Sequence, residues 1–169
     1  MRRLALPRAV ADELLAHART ELPNEACGML SGSLARASVT AFHPARNAHA
    51  SPFRFSLDPR DQVRITYSVE TAGREVVAIF HSHTRSPAVP SAADRREATY
   101  PDAIHLIASL AETDAPPERC LRAWNIRDGR ATEMTMELVQ PGSTVSSTSP
   151  EARSSSTSMP GEPSSPPDR

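Results

Sequence analysis

Residues 79–94 read IFHSHTRSPAVPSAAD and gather four side chains able to do chemistry: His81, His83, Ser91 and Asp94. Neutral imidazole and carboxylate are ligand types that zinc accepts, and a site with three protein ligands keeps a fourth position for water. Side chains at i and i+2 of a strand leave the same face. A strand ending at His83 would therefore aim both imidazoles into one space. Asp94 follows eleven residues later, in the first turn of a helix, after a loop containing Pro87 and Pro90. The same pattern has plainer readings. Two alternating histidines at a strand exit can be solvated or satisfied in a core, and Ser91 to Asp94 has the spacing of a capping box. The cap and a ligand role are compatible, because a cap also determines where Ser91 points.

The elements that must position these groups are legible in outline. EVVAIFHSH, residues 75–83, is a continuous apolar run of the kind buried on both faces of a sheet. LPRAVADELLAHARTEL predicts a helix that starts near Leu6, with Pro7 in its first turn and Leu6, Val10, Leu14, Leu15, Ala18 and Leu22 on one face. EACGMLSGSL predicts a strand in which Gly28 and Gly32 mark a bulge or a close backbone approach. ARASVTAFHPARN is its antiparallel partner. FRFSLDP opens as a strand, and Asp58 then caps a helix carrying Val63, Ile65, Tyr67 and Val69. SAADRREATY is a short helix and AIHLIASL a buried strand. Two further strands flank an Asp128-Gly129 hairpin. Phe80 and Trp124 read as core residues. The order implies an α/β or α+β domain around one mixed sheet flanked by helices.

The chain has 169 residues and a net charge of −1. Its pI is about 6.6. No basic run is present, so neither nucleic acid nor an anionic membrane is expected as a partner. No apolar stretch reaches the length of a signal peptide or a membrane span. Two cysteines, Cys27 and Cys120, make no disulfide framework, and reduced thiols in the cytoplasm are the expectation. Residues 1–140 form the expected domain. Residues 141–169 are nearly all Ser, Pro, Thr, Gly and charge, and are expected to be a disordered tail, because they cannot bury enough surface to offset ~1–2 kcal/mol of ordering entropy per residue.

The complete spacing narrows the alternatives. His-x-His, seven residues, Ser, two residues, Asp resembles the zinc signature of the JAMM (MPN-plus) metallopeptidases, carried here by His81, His83, Ser91 and Asp94. That family also has an upstream glutamate near an early strand, followed by a Cys-Gly-apolar stretch and a glycine. NEACGMLSG supplies Glu25, Cys27, Gly28 and Gly32 in that order. RNAHASPFRFSLDP is similar to the family's Asn-containing loop leading to an Arg-Phe-x-Leu-Asp-Pro strand end. The resemblance spans Leu6 to Leu138 and implies a cytidine-deaminase-like JAMM/MPN domain. Many members have proline after the second histidine, where this chain has Thr84. In that respect it looks most like the actinobacterial members that cut cysteine from a small sulfur-carrier protein.

The resemblance implies one zinc per chain, held by His81, His83 and Asp94, with Glu25 as general base and Ser91 as oxyanion donor. Taken alone, Glu25 reads as an exposed carboxylate at a helix-to-strand turn. Cys27 reads as a small buried residue rather than a nucleophile. His17, His43, His49 and His105 read as surface or core-satisfied, with His49 a weaker candidate for a substrate groove. The implied substrate is a ubiquitin-like sulfur-carrier protein ending in Gly-Gly, and a homodimer is left open. Two alternatives stand beside cysteine release: a broader isopeptidase removing ubiquitin-like tags from lysines, and a non-catalytic MPN scaffold.

Overall fold

The apolar run before the two histidines forms strand β4 (Glu75–His83), which is buried from Val77 onward. Around it a computed structural model describes residues 3–140, apart from 99, 101 and 113. The expected tail at 141–169 lies outside the described residues. In chain order the other elements are β1 (Arg3–Pro7), α1 (Arg8–Thr20), β2 (Cys27–Ser33), β3 (Ser38–Ala45), α2 (Pro59–Thr71), α3 (Ala92–Glu97), β5 (Ile104–Ser109), α4 (Pro117–Cys120), β6 (Leu121–Arg127) and β7 (Arg130–Val139). The mixed sheet runs β1-β3-β2-β4-β5-β6-β7 and closes on itself. β4 and β5 are parallel, as are both pairings of β1, and the remaining pairs are antiparallel.

Closure depends on β1, which the helical spacing of the N-terminus conceals. Leu4 and Leu6 alternate with more exposed neighbours, and the five residues pair in register with Thr135–Val139 of β7. Leu6 therefore belongs to a strand. Pro7 stands at the N-cap rather than inside the first turn, and Leu22 lies beyond the helix and is exposed. Such a strand cannot be read locally, because its partner lies some 130 residues away.

Two apolar layers cover the two faces of β4. Leu6, Val10, Leu14 and Ala18 pack with Leu30, Phe80 and Leu106 under α1. Met29, Ile65, Val69 and Ile79 pack under α2. Residues 79, 81 and 83 share a face, so both histidines emerge on the α2 side. Val63 and Tyr67 turn outward. The FRFSLDP segment contributes one isolated bridge, Asn47 to Leu57, in place of a strand, while Asp58 caps α2 as expected by accepting from the N–H groups of Arg60 and Asp61.

The glycines of β2 follow the close-approach reading. A Cβ on Gly28 would meet the His43 carbonyl oxygen at 2.6 Å, and one on Gly32 would meet that of Ser38 at 2.0 Å. The register shifts beside Gly32. Asp128 and Gly129 turn the β6–β7 hairpin with positive φ, and both cysteines are free and buried. Among the described residues, no helix is long and apolar enough to cross a membrane.

Because Leu6 is fully buried where β1 closes the sheet, Leu6→Ala is expected to destabilise the domain by ~2–5 kcal/mol in denaturant unfolding. A loss below ~1 kcal/mol would mean that β1 is peripheral.

Candidate active site

His81 and His83 lie at the end of β4, and α3 brings Asp94 up to them. The two Nε2 atoms are 3.2 Å apart. Asp94 Oδ1 lies 3.4 Å from His81 Nε2, and its Oδ2 lies 3.4 Å from His83 Nε2. Zinc bonds of roughly 2.0–2.1 Å at tetrahedral angles hold donor atoms about 3.3–3.4 Å apart, and these three side chains, with ligand atoms all within 4.8 Å of one another, are grouped closely enough to hold one ion. His83 Nδ1 lies 2.7 Å from the Pro87 carbonyl. In the neutral ring, donation there would leave the Nε2 lone pair free for an ion. His81 is fully buried and stacks on Phe55 at a centroid distance of 4.2 Å.

The capping reading of Ser91 and Asp94 holds in both directions. Ser91 Oγ accepts from the Asp94 N–H at 3.1 Å, and Asp94 Oδ2 accepts from the Ser91 N–H at 2.7 Å. The cap thus fixes the carboxylate that faces both imidazoles. Neither capping bond uses the Ser91 hydroxyl hydrogen.

Glu25 departs from its local reading: it is only 5% exposed. Two clamps on the backbone put it there, besides its own N–H, which donates to the Ser51 carbonyl at 2.8 Å. Ala26 N–H donates to Ser82 Oγ at 2.8 Å, and Ser82 N–H donates to the Ala26 carbonyl at 3.0 Å. Ser82, between the two histidines, thereby ties the glutamate's chain to the strand that carries them. The second clamp is Asn47, whose Nδ2 donates to the carbonyls of Glu25 (3.0 Å) and Arg54 (2.9 Å). Its Oδ1 accepts from the N–H groups of His49 and Ser56. In the sequence Asn47 stands out only as part of a loop motif; its saturation by four bonds appears only in the fold.

Burial sets the electrostatics. It raises Glu25 from 4.5 to about 7, with the Asp94 charge adding to the rise and His83 opposing it. Burial also pushes Asp94 upward, but its bonds to His81 and His83 outweigh this and hold it well below the usual carboxylate range. Burial lowers His81. It also pushes the Cys27 thiol up to about 12, which agrees with an inert residue.

Two concavities meet at Asp94. One, of about 220 Å³, is lined by Glu25, Phe53, His83, Arg85 and Ser91 among others. The other, of about 230 Å³, is lined by Phe55, Leu57, Gln62, Ile79, Tyr100 and His105 among others. His105 differs from expectation: it is buried beside the site, its Nε2 has no partner among the described residues, and burial lowers it to about 4. It pairs in register with Ile79, so it shares the face that carries the histidines. His49 is exposed and lines neither concavity. Trp124 is half-buried, and its indole N–H holds the Ala88 carbonyl at 2.9 Å.

Residues 7–127 match the family model described as prokaryotic homologs of the JAB domain. The chain belongs to the JAMM family. It is 35% identical over 137 residues to the CysO-cysteine peptidase of Mycobacterium tuberculosis, covering 81% of this chain and 92% of that protein. It is 41% identical over 112 residues to a desampylase of Haloferax volcanii, covering 63% and 81% respectively. A solution structure of a Desulfitobacterium hafniense protein, 37% identical, superposes with a TM-score of 0.73 over 81% of this chain and 93% of that one. The protein is thus a JAMM-family hydrolase, and its mixed α/β fold is that of the family.

Two outcomes follow for this JAMM hydrolase. A raised carboxyl favours the native state when protonated, so its contribution is fully present below the ordinary value of 4.5 and is lost as pH rises through about 7. In the chelator-treated protein, Glu25→Gln should therefore gain about 2 kcal/mol more over wild type at pH 8 than at pH 5, measured by denaturant unfolding. An equal gain at both pH values would contradict a perturbed Glu25. Asn47→Asp keeps the two acceptor bonds but loses both donors, and is expected to lower turnover ~10–100-fold with metal stoichiometry unchanged. Wild-type turnover in that variant would show that the clamp on Glu25 is dispensable.

Proposed function

We propose that the protein is a zinc-dependent peptidase that hydrolyses the amide bond after the C-terminal Gly-Gly of a ubiquitin-like sulfur-carrier protein, releasing cysteine. The observation that carries the catalytic part is the convergence of buried Glu25 with His83, Ser91 and Asp94 on one concavity. His81, His83 and Asp94 would hold the ion. When bound there, zinc supplies a Lewis acid and lowers the pKa of water to near ~7.

The chain's own groups do the rest. Glu25, held beside His83 and Asp94 in a buried setting, takes a proton from the attacking water and passes it to the nitrogen of the breaking C–N bond. Ser91 donates its remaining hydrogen to the oxyanion of the tetrahedral intermediate; such a donor is worth ~2.7–4 kcal/mol. The capping bonds hold Ser91 before substrate arrives, so little is reorganised at the moment of reaction.

Support for the cysteine-releasing reading comes from the Mycobacterium relative, whose similarity extends over nearly its whole length. Thr84, where many members have proline, adds to it. The Haloferax relative favours the second reading, removal of a ubiquitin-like tag from lysine. A scaffold would have no use for a buried glutamate at about 7 beside a complete ligand set.

Metal analysis combined with turnover of a carrier–cysteine conjugate tests the proposal. One zinc per chain and activity abolished by chelator are expected. Glu25→Ala should retain zinc and lose ~10²–10⁴-fold in kcat. Chelator-insensitive turnover would sink the metal mechanism, and faster cleavage of a lysine-linked isopeptide would replace cysteine release with the tag-removal reading.

A further inference from the structure

We infer that Arg85 forms a subsite for the free α-carboxylate of the leaving group, so that the enzyme acts on carriers capped by a single amino acid rather than on protein-linked isopeptides. This rests on the proposed function and specifies the substrate class of the same site.

The side on which the leaving group sits follows from proton transfer. Glu25 hands its proton to the departing nitrogen, and of the two concavities that meet at Asp94 it lines the one shared with Arg85. The acyl side then takes the other concavity, that of Phe55, Leu57 and Tyr100. In an amino acid leaving group the carboxylate carbon is two bonds from the leaving nitrogen, so it must lie within the same 220 Å³ space. In a lysine-linked protein conjugate, the leaving nitrogen is at the end of the side chain, and the α-carboxyl is engaged in a peptide bond.

Arg85 is an uncommitted cation in that space. Among the described residues no carboxylate pairs with it. Arg54, on the neighbouring loop, is occupied by Glu97 at 3.1 Å. The backbone around Arg85 is pinned on both sides. Thr84 Oγ1 donates to the Pro52 carbonyl at 3.1 Å, and Ser109 Oγ donates to the Ser86 carbonyl at 2.8 Å. The carbonyls of Pro87 and Ala88 are held by His83 and Trp124. A guanidinium on a fixed backbone offers a planar fork to a carboxylate, and such charge-assisted bonds are roughly twice as strong as neutral ones. A site built around that bond rejects the analogue lacking the charge.

Two conjugates that differ only at the carboxyl test this: carrier–cysteine and carrier–cysteinamide, with zinc-loaded protein. Wild type should favour the carboxylate at least ~10-fold in kcat/KM, and Arg85→Ala should reduce that ratio to within ~2-fold of unity, with Arg85→Lys intermediate. In zinc-loaded Glu25→Gln protein, calorimetric affinity for the two conjugates should show the same difference, removed by adding Arg85→Ala. A preference that survives Arg85→Ala, or none in wild type, overturns the subsite while leaving the proposed function standing. Failure to hydrolyse either conjugate overturns both.

Discussion

Ser82 and Ala26 exchange two hydrogen bonds, and the rest of the site depends on that exchange. Ser82 lies between the histidines, so a single tripeptide presents two imidazoles and also grips the chain next to Glu25. Both partners are buried, and leaving either group unpaired would cost ~1–3 kcal/mol. The β2–β4 pairing continues the contact, with Cys27 opposite His81. The chain that carries Glu25 and the strand that carries both histidines are therefore joined directly, without an intervening loop.

Within that unit two carboxylates diverge. Burial acts on Glu25 and Asp94 in the same direction, so burial alone cannot distinguish them. Partners do. Asp94 has an imidazole on each oxygen and a backbone N–H from its cap, all favouring the charged form. Glu25 faces the Asp94 charge with only His83 to offset it. One carboxylate stays ionised, and the other can bind and release a proton near neutrality. The same environment that makes Glu25 useful is unfavourable to its charged form, so part of the fold's stability is spent at the site.

The segment between β3 and α2 frames the entrance. It has almost no sheet pairing, and Asn47 replaces the missing ladder by satisfying four backbone groups. Thr84 ties the end of β4 to the same segment through Pro52. Phe53, 79% exposed on the rim, and Phe55, stacked on His81, come from it as well. A loop held at its base can present side chains to a ligand while its outer surface remains free.

Much of the site was legible because it is written in local spacings. Alternation on a strand put His81 and His83 on one side, and a three-residue interval made Ser91 and Asp94 a cap; both follow from backbone geometry within a few residues. The order of the central elements was legible for the same reason. Glu25 was identifiable from the motif around it, but its burial was not. Nor were β1, the unpaired nitrogen of His105, or the four bonds of Asn47. Each of these depends on segments distant in the chain: β1 on β7, Glu25 on Ser82 and Ser51, and His105 on the cavity beneath α2. Residue types and intervals determine which groups are available and which way neighbouring ones point. Burial, and with it the protonation of each carboxylate, is a property of what packs around a group, and that is decided when the sheet closes.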